Sequence, residues 1–157
     1  MATHTHNPIY QLAKKKAVHY CSYQERTIAE LAQKLLAWQV PAAEQKKLIQ
    51  ELQAERWLDE KRYIETFVYS RFCKQKWGRR KIYYALLQKQ LHPADIENGL
   101  NTIQEAAYLE SLKKLVVQKK EHLAKVAPNL IRQKITAYLL QKGYELDLIQ
   151  QVIQATL

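Results

Sequence analysis

Apolar residues return along this chain at helical spacing, and one register returns three times. Leu31, Leu35 and Leu36 followed by Val40 match Ile82, Leu86 and Leu87 followed by Leu91, and then Ile135, Leu139 and Leu140 followed by Tyr144. The second set begins 51 residues after the first, from Leu31 to Ile82, and the third begins 53 residues after that, at Ile135. Positions four apart share a helix face. A helical pattern recurring at such a period marks an array of similar modules, each of which buries its apolar face poorly without neighbours. An extended surface is expected, rather than a single deep pocket.

The polar punctuation supplies the helix ends. Asn7 before Pro8 reads as an N-cap with proline at the first helical position, opening a helix to about Cys21 with Ile9, Ala13, Ala17 and Tyr20 on one face. Thr27 and Glu30 form a capping box ahead of Leu31. Pro41 starts a third helix carrying Leu48, Ile49 and Leu52. Asp59 is the next N-cap, followed by Tyr63, Ile64, Phe67, Val68 and Phe72 at helical spacing. Gly78 interrupts that run, Ile82, Tyr83, Leu86 and Leu87 resume it, and Pro93 opens a helix with Ile96, Leu100 and Ile103 inward. A longer helix is expected from about Gln104 to Val126, another from Pro128 ending at Gly143, and a last one carrying Leu148, Ile149, Val152 and Ile153. The expectation is an all-α chain of about nine helices in three tandem three-helix units. Residues 8–56, 57–103 and 104–157 form the units of a single array over 1–157.

Composition adds the nature of a partner. Twenty-five Lys and Arg against fifteen Asp and Glu leave a net charge of +10, which favours polyanions such as nucleic acid or an acidic protein surface. Hydrophobic residues make up 47% of the chain, enough for a core, and three Gly with four Pro argue against a turn-rich β fold. No run approaches the roughly 20 apolar residues that span a bilayer, and MATHTHNPIY has no apolar signal core, so no membrane association and a cytoplasmic location are expected. Cys21 and Cys73 have no close partner for a metal pair and read as small hydrophobes near the ends of first helices. His4, His6, His19, His92 and His122 are scattered, and Gly78, Gly99 and Gly143 cannot build a phosphate loop. No catalytic residue, metal site or cofactor is expected, and the chain does not read as an enzyme.

The charge has a focus. From Arg71 to His92 the cations Arg71, Lys74, Lys76, Arg79, Arg80, Lys81 and Lys89 are interrupted by no acid. On a helix beginning near Gly78 with Ile82 and Leu86 inward, Arg80, Lys81, Tyr84 and Gln88 fall on the opposite face. Cations beside an aromatic ring suit a phosphate backbone with a base or apolar group beside it. Arg71, Lys74, Lys76, Arg79, Arg80, Lys81 and Tyr84 are therefore the candidate binding residues, with Trp77 read as a core anchor and Arg79 near the core edge. Lys14, Lys15 and Lys16 span more than one helix face and carry a weaker claim. The basic segment alone is also compatible with an autonomous, non-specific DNA-binding protein.

Several of these residues carry a resemblance. Arg56-Trp57-Leu58-Asp59-Glu60-Lys61-Arg62-Tyr63, Phe67-Val68, Ser70-Arg71 and Trp77-Gly78-Arg79-Arg80-Lys81-Ile82, with Leu86 and Leu91, resemble the signature of the RecX family of recombination regulators. Thr27-Ile28-Ala29-Glu30-Leu31 is similar to that family's first capping segment and Lys142-Gly143-Tyr144 to its recurring helix-ending turn. The resemblance implies an elongated, curved array, working as a monomer, that binds RecA recombinase filaments on single- or double-stranded DNA. It further implies inhibition or modulation of RecA ATP hydrolysis, strand exchange and co-protease activity in recombination, repair and the SOS response. Two places depart from the pattern: Ile64-Glu65-Thr66 follow Tyr63 where small and basic residues are usual, and Lys89-Gln90 stands where Lys-Gly would end the central unit's second helix.

Overall fold

The computed structural model describes residues 7–157; His4 and His6 lie outside them. Among the described residues the chain forms nine α-helices and no strand, and no helix is long and apolar enough to cross a membrane. The helices gather into two compact units.

The first unit holds the chain up to Ile64 together with Lys89–Leu91. It contains α1 (Pro8–Tyr23), α2 (Ile28–Ala37), α3 (Ala42–Ala54) and the start of α4 (Glu60–Tyr69). The expected caps are present: Asn7 accepts from the Ile9 N–H at 3.0 Å, Thr27 from Glu30 at 3.0 Å and Asp59 from Arg62 at 3.0 Å. Each satisfies a backbone donor that a helix start would otherwise leave unpaired. The inward stripe of α1 is Tyr10, Ala13, Ala17 and Cys21, so the face expected through Ile9 and Tyr20 is displaced by one residue, and Ile9 is 65% exposed. Chemistry at Tyr10 explains the displacement. Its hydroxyl donates to Glu51, a carboxylate that also receives Lys14 at 2.6 Å, so the largest side chain of the stripe is buried with its polar end satisfied.

The second unit, Glu65–Gln88 with His92–Leu157, contains the rest of α4 and a π-helical turn at Ser70–Lys74. There follow α5 (Arg79–Leu87), α6 (Pro93–Leu100), α7 (Glu105–His122), α8 (Pro128–Lys142) and α9 (Leu146–Thr156). The π turn was not expected; its wider winding offsets the residues that follow it, and Phe72 is buried while Cys73, expected as a small hydrophobe, is exposed. Phe72, Tyr108 and Tyr144 lie in a row, with ring centroids 5.8 and 5.1 Å apart. α7 packs on both α8 and α9.

The threefold register is present with one correction. Leu31, Leu35 and Val40, Ile82, Leu86 and Leu91, and Ile135, Leu139 and Tyr144 are all buried. The third residue of each cluster is not: Leu36, Leu87 and Leu140 are exposed, because a residue next to an inward position turns about 100° away from it. Each register also ends alike. Gln39, Gln90 and Gly143 have positive φ of 61°, 63° and 100°, and the next residue turns back into the core. Gln90 thus performs the left-handed turn for which glycine is the unstrained choice, and the departure at Lys89-Gln90 leaves the geometry unchanged.

Leu35, Leu86 and Leu139 each have no exposed surface. Leu86→Ala is expected to cost about 2 to 5 kcal/mol by lost burial and the cavity left behind, read as a lower urea midpoint. Wild-type stability in that variant would contradict the burial at this position.

Candidate nucleic-acid interface

The basic segment begins where two helix ends meet inside the second unit. The Gly78 N–H donates to the Lys142 carbonyl at 2.8 Å and the Arg80 N–H to the Gly143 carbonyl at 3.0 Å. Unpaired donors at the start of α5 are thereby satisfied by unpaired acceptors at the end of α8, and the opposed helix dipoles are attractive. Only glycines allow this approach: a Cβ on Gly78 would lie 2.3 Å from the Gly143 carbonyl carbon, and one on Gly143 would lie 2.4 Å from the Lys81 Cβ. Lys142 Nζ donates to the Gln75 carbonyl at 2.9 Å and the Tyr144 hydroxyl to that of Lys76 at 3.1 Å, fixing the loop before α5.

This junction sorts the candidate residues. Arg79 is spent on structure: its guanidinium pairs with Glu145 at 2.9 Å and Glu105 at 3.1 Å and lies 3.9 Å from the centre of the Tyr108 ring. Burial works against its charge, but Glu145 and Glu105 outweigh that and raise its pKa. Tyr108 completes the tie, accepting from the Arg79 N–H and donating to Glu145. Arg71 lies over Phe67 and Trp77 at 4.4 and 5.2 Å, with its buried Nε unpaired. Trp77 is a half-buried junction residue, meeting Phe67 edge to face. Lys74 and Lys76 are exposed, and Lys76 borders a groove of about 310 Å³ against α7 shared with Glu110 and Lys114.

Arg80, Lys81 and Tyr84 are brought together on a different groove, of about 440 Å³, closed on its far side by Leu140, Gln141 and Gly143 of the α8 end. Lys81 Nζ sits 4.3 Å above the Trp77 ring, and Tyr84 is 54% exposed with its ring edge to face with Tyr83. Among the described residues no acid lines this groove, and neither Arg80 nor Lys81 has a carboxylate within 4 Å. The residue that sequence reasoning missed is Lys142. Burial, and then the charge of Lys81 beside it, lower its pKa. Its neighbour Gly143 marked the helix end, but nothing local placed it against a lysine sixty-one residues earlier.

The charge at the start of α5 is of one sign. Among the described helices, α2, α3, α4, α6, α7 and α9 open with an acid in the first turn, where the helix dipole favours negative charge. α5 opens with Arg79, Arg80 and Lys81 and has no acid there. Lys81 and Lys142 then repel each other. A negatively charged group placed in this groove would be attracted by Arg80 and Lys81 with no acid of the lining to oppose it. Lys89 has left the cluster: it belongs to the first unit, where its Nζ lies 3.9 Å from Glu30.

Fold and groove together define an all-helical tandem repeat protein with an electropositive face. Three family models match in order along the chain, described as the first, second and third three-helix domains of RecX, over residues 13–52, 59–100 and 106–153. The chain belongs to the RecX family of regulatory proteins. It is 26% identical over 137 residues to the regulatory protein RecX of Oceanobacillus iheyensis, covering 87% of this chain and 50% of that protein. It is also 26% identical over 149 residues to that of Clostridium acetobutylicum, covering 92% and 69%. It thus spans about half the length of the Oceanobacillus relative. The crystal structure of RecX from Lactobacillus salivarius superposes with a TM-score of 0.89 at 23% identity, over 94% of this chain and 96% of that one. That likeness supports the tandem three-helix fold.

Proposed function

We propose that this chain is a non-enzymatic, cytoplasmic regulator that binds RecA recombinase filaments on DNA as a monomer. Bound there, it inhibits or modulates RecA ATP hydrolysis, strand exchange and the co-protease activity that starts the SOS response. Membership of the RecX family supports the partner. The observation that carries the proposal is the groove at the start of α5 that Arg80, Lys81 and Tyr84 line and no acid among the described residues enters. Arg80, Lys81 and Tyr84 meet phosphate or an acidic filament surface, Arg71, Lys74 and Lys76 extend the positive field, and Arg79 positions the helix that presents them. Attachment at several points along a filament adds weak contacts by effective concentration. A partner that binds one state of adjoining subunits better than another then slows the interconversion that ATP turnover requires.

Autonomous, non-specific DNA binding is the second reading, favoured by the same groove, and the two separate by salt. Counterion release makes phosphate-only binding collapse between about 50 and 200 mM salt, whereas a filament regulator retains a RecA-dependent component. The deciding experiment is RecA ATPase on single-stranded DNA at 150 mM salt with stoichiometric folded protein. Inhibition is expected; an unchanged rate would remove the filament reading and leave DNA binding alone.

A further inference from the structure

The first unit carries a second cluster of cations and rings, which shares no residue with the α5 groove. The Arg26 guanidinium lies 3.8 Å from the centre of the Tyr20 ring, held there by its Nε donating to the Tyr20 carbonyl at 3.1 Å. Lys34 Nζ reaches the same ring at 5.6 Å, and Lys16 Nζ lies 5.7 Å from the Trp38 ring. Tyr20 and Trp38 meet edge to face at 86°, 6.4 Å apart. Tyr23, three residues beyond Tyr20 on α1, is 79% exposed and meets His19 edge to face at 5.8 Å.

Placement over rings sets this cluster apart, since Lys15, Lys46 and Lys47 of the unit also have no carboxylate within 4 Å among the described residues. Lys14 is held by Glu51 and Glu55, Arg62 by Glu25 and Lys89 by Glu30. Among the described residues Lys16, Arg26 and Lys34 have no carboxylate within 4 Å, and Lys16 and Lys34 are exposed. Three uncompensated cations therefore converge on two half-buried rings, with a third ring in solvent alongside.

We infer that this patch on α1 and α2 is a binding site for single-stranded nucleic acid, with Lys16 and Lys34 meeting phosphates and bases stacking on Trp38, Tyr23 and the Arg26 guanidinium. Unpaired bases offer free faces to aromatic rings and to guanidinium planes, and each such stack is sequence-tolerant. A duplex hides those faces and would use the cations alone. An acidic peptide would satisfy the cations and leave Tyr23 and Trp38 without a role. The site stands whether or not the α5 groove contacts a filament.

The test uses the full chain with labelled oligothymidylate of twenty nucleotides, a duplex of the same length, and a bromodeoxyuridine oligonucleotide for photo-crosslinking. Crosslinks at Tyr20, Tyr23 or Trp38 are expected in the wild type, independent of any variant's folding. Lys16→Gln with Lys34→Gln is expected to flatten the salt dependence of oligothymidylate binding by about 0.7 for each phosphate no longer neutralised. Tyr23→Ala, which removes an exposed stacking ring and no charge, is expected to weaken oligothymidylate binding by about tenfold at 150 mM salt. Duplex affinity should stay within about twofold. The proposal is overturned by crosslinks confined to residues 71–84, or by equal losses for oligothymidylate and duplex. Displacement of oligothymidylate by polyglutamate with no crosslink in the first unit would overturn it too, and assign the patch to an acidic protein.

Discussion

Gly78→Ala is expected to lower the stability of the second unit by about 3 to 5 kcal/mol, a large share of the roughly 5 to 15 kcal/mol that holds a typical domain. The new methyl would lie 2.3 Å from the carbonyl carbon of Gly143, 2.4 Å from its oxygen and 2.5 Å from the Tyr144 nitrogen. These are backbone atoms and cannot swing aside, so the two helix ends must part. Overpacking costs about 1 to 3 kcal/mol. Parting also stretches the hydrogen bonds from Gly78 to Lys142 and from Arg80 to Gly143, each contributing about 1 kcal/mol. Gly143→Ala should do comparable damage, since it adds a contact with Lys81 at 2.4 Å to a φ of 100°. Urea denaturation followed by circular dichroism reads both; a Gly78→Ala midpoint within error of wild type would refute the close approach. Because this junction presents Arg80 and Lys81, the variants should also lose binding in proportion to misfolding.

Replacing Arg80 and Lys81 by Glu is expected to have the opposite signature: weaker binding from a protein at least as stable. The substitutions change local charge by four units where no acid compensates it, while Ile82 and Leu86 stay in the core. DNA affinity should fall on the order of 100-fold at 150 mM salt, with a salt slope shallower by about 1 for each phosphate the protein ceases to neutralise. RecA inhibition should fall with it. Stability gains from an acid in the first turn of α5, about 0.3 to 1 kcal/mol, and from an anion beside Lys142. It loses the interaction of Lys81 with Trp77, worth about 0.5 to 1 kcal/mol. The melting temperature is therefore expected to hold or rise. Unchanged inhibition by the reversed, folded protein would make the α5 face ordinary solvated surface and move the functional face to another module.

Arg79 marks the difference between charge in a sequence and charge on a surface. It sits in the same basic run as Arg80, yet Glu145, sixty-six residues later, takes its guanidinium. An uninterrupted run of cations records only that no acid is adjacent along the chain. Which cations stay free depends on acids delivered by other helices.

What the sequence determined by itself is what local physics determines. Helix positions follow from period and caps: Thr27 with Glu30, Asp59, Pro41, Pro93 and Pro128 act within one turn of the chain, and the buried Leu35, Leu86 and Leu139 recur because each module repeats the same periodicity. The family resemblance shares Thr27, Glu30, Asp59 and Leu86 with them. Tertiary structure alone decided the rest. Whether Ile9 or Tyr10 faces inward depended on a carboxylate on α3 that could satisfy a buried hydroxyl. The π turn at Ser70–Lys74 left no mark in composition. The α5 groove needed two glycine backbones, 78 and 143, to meet before the end of α8 could close its far side. Such contacts join residues far apart in the chain, and periodicity carries no information about them.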